Sequence, residues 1–280
     1  MIEIQNSNQF YDIVNSFKNS CEKVLTNCFF MPDEVNLLAE QGRLKIKELP
    51  EWLLILCKRD DYSNLYYYTT DSSLPDYVKE FLQDSQESDI YLDIVSRMGR
   101  GDVSTPQKLI ASDCAEKYKT YQRMQLPLKN VDFDTIQVSL PEKYVLSFDY
   151  CDHTALSELW KEALDEKSTP LPRKEELLEL CEQGNLLTIC TDQKELAAVI
   201  VFSVTAKQGL LQHLAVSKNH RRKGLAMSLF NACILKAQEE NLTTLRLWVD
   251  CKNLSAITLY DRFGFTTDGM LCDQLYMKGK

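Results

Sequence analysis

Apolar positions between residues 136 and 280 recur with two periods, and each change of period marks a new element. Tyr144–Phe148 reads as a short strand. Thr154–Leu164 reads as a helix, with Ala155, Leu156, Leu159, Trp160 and Leu164 along one face. Lys174–Gln183 is a second helix, stopped by Gly184. Leu186–Thr191 and Leu196–Val204 predict a hairpin across Asp192, Gln193 and Lys194. Leu210–Val216 follows as a strand, Gly224–Glu240 as a long amphipathic helix, Leu245–Val249 as a strand and Leu254–Arg262 as a helix. Two short strands around Asp268-Gly269 are expected after that. Helices fall between strands, so the expected class is α/β or α+β, with a mixed central sheet flanked by helices.

The first 135 residues give a weaker pattern. Asn8–Cys28 reads as helical, Arg43–Leu49 and Trp52–Cys57 as strands around Pro50, and Leu65–Thr70 as a strand. Tyr77–Asp84 reads as helical, Ile90–Val95 as a strand and Ala115–Met124 as helical. Residues 130–141 are polar, alternate briefly and carry Pro141, so they mark a boundary between domains 1–135 and 136–280. The order of elements in the first domain roughly repeats that of the second. Tyr121–Leu126 also matches Tyr260–Phe265 loosely, which suggests a diverged duplication.

Composition narrows the class. Hydrophobic residues make up 44% and charged residues 26%, the profile of a soluble globular chain. No apolar run approaches the roughly 20 residues of a membrane helix, and MIEIQNSNQF lacks a signal-peptide pattern, so a cytoplasmic protein is expected. The ten cysteines contain no C-x-x-C pair, so no metal site is expected and the thiols should be reduced. Residues 1–135 hold 15 Lys and Arg against 22 Asp and Glu, and residues 136–280 hold 17 against 19. Neither half offers the basic surface that nucleic acid requires.

One segment stands out. Leu214-Ala215-Val216 is an apolar strand end. After a polar turn comes the basic cluster Arg221-Arg222-Lys223, then Gly224, then the helix that begins Leu225-Ala226-Met227. Unpaired N–H groups and the positive end of the dipole gather at a helix start. A glycine there lets phosphate oxygens approach the backbone. The residues alone fit either a phosphate-holding loop or an ordinary solvated basic turn.

Two motifs resolve that choice by resemblance. Arg221, Gly224 and Ala226 fill the fixed positions of Q/R-x-x-G-x-G/A, the coenzyme A signature of the GCN5-related N-acetyltransferases. Asn253, Ala256, Leu259, Tyr260, Gly264 and Phe265 fill N-x-x-A-x-x-L-Y-x-x-x-G-F, a second pattern of that family. The resemblance covers about residues 142–280. It implies acetyl-CoA as co-substrate, with Leu214, Ala215 and Val216 along the pantetheine arm. The pyrophosphate would lie on the backbone of Arg221, Arg222, Lys223, Gly224, Leu225, Ala226 and Met227, with Asn253 and Ala256 also at the coenzyme. The first domain reads as a degenerate relative. Its stretch Asp71-Ser-Ser-Leu-Pro75-Asp-Tyr has two acids and no glycine, so it should not bind coenzyme A and should help to shape the substrate cleft.

The implied reaction is attack of a neutral amine on the thioester. By spacing alone Tyr260 fits a packed aromatic better, but with both motifs in order it is the candidate general acid. The general base is not readable. His213 is a candidate that also fits a core or rim histidine, and Asp250 and Glu195 are acidic candidates with no better support. The family resemblance also allows a water chain in place of any base. His220 is expected to be solvated. Cys233 and Cys251 are expected to be structural. The expected partner is a small-molecule primary amine, with a protein or peptide amine, or a non-catalytic acyl-CoA module, as alternatives. A monomer or homodimer is expected.

Overall fold

The computed structural model describes residues 1–70, 76–77, 80, 89–97, 115–150 and 152–278. They divide into two compact units, one of Met1–Tyr121 with Gly269–Lys280 and the other of Gln122–Asp268. The division differs from the single cut expected at residue 135, for two physical reasons. Val131, Phe133, Ile136, Val138 and Leu140 pack on the core of the second unit, so the segment read as a boundary belongs to that unit. Leu275 and Met277 are buried in the core of the first unit, so the chain returns there after completing the second.

In the first unit, β1 (Ile2–Glu3), β3 (Leu44–Leu49), β4 (Trp52–Lys58) and β5 (Tyr62–Thr69) run antiparallel in that order. β6 (Asp89–Arg97) joins β5 in parallel over a short register, Tyr62 with Asp89 to Leu65 with Leu92. On the other side of β6 lie Met270–Met277 of β13 (Thr266–Met277), antiparallel. A two-residue strand, β2 (Leu25–Thr26), pairs with the far end of β5. β4 is buried at every position from Trp52 to Cys57 because side chains cover both sheet faces. Helices α1 (Ser7–Asn19) and α2 (Pro32–Glu40) place Phe10, Val14, Val35 and Leu38 on one face. The helix expected over Asn8–Cys28 thus ends at Asn19, where Ser20 caps it.

Two other expectations change. Ala115–Met124 is not helical: Glu116–Pro127 is strand β7, with Met124 and Leu126 alternating inward. The Tyr121–Leu126 match to the Tyr260 helix end therefore pairs a strand with a helix and supports no repeat. Nor do two strands flank Asp268-Gly269. β13 runs through both residues, with Gly269 at φ +81°. Most of the helix expected over Tyr77–Asp84, and the Asp71–Pro75 stretch, lie outside the described residues.

The second unit follows the expected order closely. β8 (Tyr144–Ser147), β9 (Leu186–Thr191), β10 (Leu196–Thr205) and β11 (Gln208–Val216) are antiparallel neighbours, and β12 (Thr244–Asp250) joins β11 in parallel. In strand order β7 neighbours β12. Helices α3 (His153–Ala163) and α4 (Lys174–Glu182) cover one face through Leu156, Leu159, Trp160 and Leu177. Helices α5 (Leu225–Glu239) and α6 (Leu254–Arg262) cover the other through Leu229, Phe230, Cys233 and Tyr260. Burying an apolar stripe of each helix on the sheet is the main stabilising term of such a sandwich.

Candidate functional site

The site is built where β11 and β12 part. Their register covers only Gln208 with Thr244 to Leu210 with Arg246. Past it, β11 carries a bulge. Gln212 pairs with Val201 and Ala215 with Val199, so His213 and Leu214 together oppose Ile200. His213 takes φ +51° to make the bulge, and the Trp160 indole N–H donates to its carbonyl at 2.8 Å. Beyond the bulge, Ser217 N–H donates to Ala197 O on the β10 side. Alternation then turns the backbone groups of Leu214 and Val216 the other way, toward an open cleft.

That cleft has a volume of about 670 Å³. Leu214, Ala215 and Val216 form one wall, Arg221, Arg222, Gly224, Leu225, Ala226 and Met227 its end, and Asn253 and Ala256 the opposite wall. The sequence-predicted coenzyme residues are thus brought together, except for the Lys223 side chain. Its ammonium donates to Asn219 O at 2.8 Å and lies 5.9 Å from the centre of the Tyr144 ring, so the side chain is held away from the cleft lining.

Gly224 sets the loop geometry. It precedes α5 at φ +80°, a conformation that costs an L side chain about 1–2 kcal/mol. A Cβ built on it meets no atom within 4 Å, so the space before the first turn of α5 is free for a ligand. The N–H groups of that turn have no partners within the helix and carry its positive dipole end. Arg221 is drawn back toward the strand by donating from Nε to Val216 O at 3.2 Å, while Arg222 lines the cleft. The site therefore matches an anionic, extended ligand with a phosphate at the loop.

Asn253 caps α6: its Oδ1 accepts from Ala256 N at 3.1 Å. No group among the described residues takes its side-chain NH₂, which remains a donor on the cleft wall. Sequence reading missed Ser255, Thr258 and Arg262, which line the same wall. Their helical spacing was the available signal, since residues three and four apart share a face.

The candidate acid and bases lie less openly. Tyr260 is only 8% exposed and packs against Phe230 and Phe265, with ring centroids 5.2 and 6.1 Å away. Burial pushes its phenol up to about 12, so the proton stays on oxygen at neutral pH. His213 is pushed the other way, to about 4, by burial beside Trp160, and its Nδ1 has no hydrogen-bond partner among the described residues. Asp250 accepts from Lys252 N at 2.9 Å in the turn before α6. Glu195 lies 3.1 Å from His220 Nε2.

His220 departs from expectation. It is buried rather than solvated, because Tyr144 on β8 meets Nδ1 at 2.9 Å while Glu195 meets Nε2. In the neutral tautomer the Tyr144 hydroxyl donates to Nδ1 and Nε2–H donates to Glu195, satisfying both ring nitrogens. This chain fixes the residue just before Arg221. Cys233 is fully buried with its thiol pushed far up by desolvation, which leaves it inert. Among the described residues no group of His, Cys, Asp and Glu could hold a metal ion, and no helix is long and apolar enough to cross a membrane.

Residues 153–265 match the model of the acetyltransferase (GNAT) family. The fold resembles that of a GCN5-related N-acetyltransferase from Sphaerobacter thermophilus, with TM-score 0.61, 15% identity, and 89% of this chain and 87% of that one covered. A tandem GNAT protein from the clavulanic acid biosynthesis pathway gives TM-score 0.60 at 15% identity, over 81% and 79% of the two chains. A GCN5-related N-acetyltransferase from Kribbella flavida gives TM-score 0.55 at 11% identity, over 87% and 94%. At these identities the likeness is one of fold, and it extends through both units. No curated protein matches the sequence.

Proposed function

We propose that the chain, whose residues 153–265 match the model of the acetyltransferase (GNAT) family, transfers an acetyl group from acetyl-CoA directly to a primary amine of a small molecule. The observation that carries this reading is the open space at Gly224, at the head of α5 and at one end of the cleft along β11. A diphosphate fits there on backbone N–H groups, with Arg222 adding a charge-assisted contact.

Each residue then has a task. The cleft-facing backbone of Leu214 and Val216 pairs with the amides of the coenzyme arm, and the Asn253 NH₂ offers it a donor. Bound acetyl-CoA supplies the thioester whose carbonyl carbon the neutral amine attacks; the C–N bond forms as the C–S bond breaks, and the proton lost by the amine nitrogen passes to water. Tyr260 holds a proton for the departing sulfur, and its raised pKa keeps that proton in place while making it a weaker acid. We assign no side-chain base. His213 stays neutral but is a weak acceptor, and Glu195 and Asp250 are committed to His220 and Lys252.

The test has two stages. Acetyl-CoA should raise the melting temperature of the wild type by mass action and leave Gly224→Glu unmoved. Thiol release should then appear with one or more amines in a panel of amino acids, polyamines, aminoglycosides and peptides. A wild type that millimolar acetyl-CoA does not stabilise refutes the proposal. The burial of Tyr260 favours a second reading, a module that binds acyl-CoA without turnover. Tight binding with no thiol release across the panel would establish that one instead.

A further inference from the structure

Each unit has a parallel strand pair that parts after a short register, and what lies in the gap differs. In the second unit β11 and β12 part after Leu210 and Arg246, and the gap leads into the cleft. In the first unit β5 and β6 part after Leu65 and Leu92. There the chain itself fills the gap. β2 pairs with β5 at Leu25 with Thr69 and Thr26 with Tyr68. The Asn27 side chain reaches between the parted strands. Its Nδ2 donates to Leu65 O at 3.2 Å on β5 and to Asp93 O at 2.8 Å on β6, and its Oδ1 accepts from Tyr67 N at 2.8 Å.

The surrounding segment is tied equally well. Thr26 Oγ1 donates to Tyr67 O at 2.6 Å and accepts from Cys28 N at 2.9 Å. The Tyr11 hydroxyl donates to Phe30 O at 2.6 Å. Asn27 is 7% exposed and Cys28 3%. Backbone groups at the parting of two buried strands must find partners. The second unit leaves such groups facing an open cleft, and the first supplies them from residues 25–28.

We infer that the segment Leu25–Cys28 is an internal ligand of the first unit. It makes along the β5 edge the backbone pairing that a coenzyme arm makes along β11, with Asn27 as its pin, so acetyl-CoA is excluded from that gap. The exclusion rests on the proposed coenzyme site in the second unit; the plug itself does not. One chain then binds one coenzyme.

Calorimetric titration of the full chain with acetyl-CoA should give one equivalent for the wild type and none for Gly224→Glu. Two equivalents in the wild type, or one remaining in Gly224→Glu, overturns the inference. If the wild type binds none, the proposed function fails, and hydrogen exchange alone decides on the plug. Asn27→Ala should speed amide exchange over residues 65–69 about ten-fold, with peptides of the second unit unchanged. Thr26→Val, which removes the hydroxyl bonds to Tyr67 and Cys28 at nearly constant volume, should do the same if Asn27→Ala does not fold. Wild-type exchange rates over 65–69 in a folded variant would refute the plug.

Discussion

The indole of Trp160 and the backbone oxygen of His213 are joined by a 2.8 Å hydrogen bond, and it ties α3 to the bulge that turns the β11 backbone toward the cleft. Removing that donor leaves a half-buried carbonyl without its partner. Trp160→Phe should cost about 1–3 kcal/mol of stability, read by urea denaturation. It should also raise KM for acetyl-CoA several-fold, because the wall formed by Leu214–Val216 is no longer fixed. A variant with lower stability but an unchanged KM would separate the bulge from coenzyme binding.

Gly224→Ala tests the loop more gently than a charged substitution. Since its Cβ meets nothing in the protein, the folding cost is conformational only, about 1–2 kcal/mol for φ +80°. The same methyl group occupies the space expected for phosphate. Affinity for acetyl-CoA should therefore fall by about ten-fold or more, measured by titration. Equal affinity would place the phosphate elsewhere.

Tyr260→Phe should lower kcat by about ten-fold or more with little change in KM. The phenol has a folded pKa of about 12, raised from 10, so the wild-type rate should show no alkaline loss attributable to it up to pH 10. The stability linkage has the same sign. Stability from the buried neutral phenol is complete below pH 10 and is lost as pH rises toward 12. An alkaline limb near pH 9 that vanishes in Tyr260→Phe would show that ligand binding lowers this pKa.

His213 should make the fold acid-sensitive. Its pKa drops from 6.5 in the unfolded chain to about 4 in the fold. The unfolded state therefore binds the extra proton first. Stability from this residue is present above pH 6.5 and falls as pH drops toward 4, by at most about 3 kcal/mol. His213→Asn, which tolerates the left-handed backbone, should flatten denaturation midpoints over that range. Parallel curves for the two proteins would exclude the effect.

The second unit was legible because its signals were local and mutually consistent. Helix stripes, the Asp192–Lys194 turn and the glycine at the head of α5 each agree with the fold they belong to. The failures have specific causes. Residues 116–124 are rich in Lys, Arg, Gln and Glu, which favour helices, but the alternation of Met124 with Leu126 toward the core decides in favour of a strand. Asp268-Gly269 carries a hairpin signal, yet Asp268 is taken by Arg123, whose Nε donates to Oδ2 at 2.8 Å, and the strand continues. Pro32 followed by Asp33 and Glu34 was a readable helix start, and α2 begins there. The burial of His220 depends on Tyr144 and Glu195, which are remote in sequence, and no local pattern announces it. The same is true of Asn27, whose partners Leu65, Tyr67 and Asp93 come from two strands.

The return of Gly269–Lys280 to the first unit sets an order of assembly during synthesis. Residues 1–121 emerge from the ribosome well before the strand that buries Leu275 and Met277 against β6. The whole of the second unit is made in between. Through that interval the β6 edge lacks its neighbour, and unpaired strand edges in nascent chains invite aggregation or chaperone binding. A ribosome-stalled chain just long enough to expose residue 121 should therefore be protease-sensitive around β6, while one long enough to expose residue 278 should not.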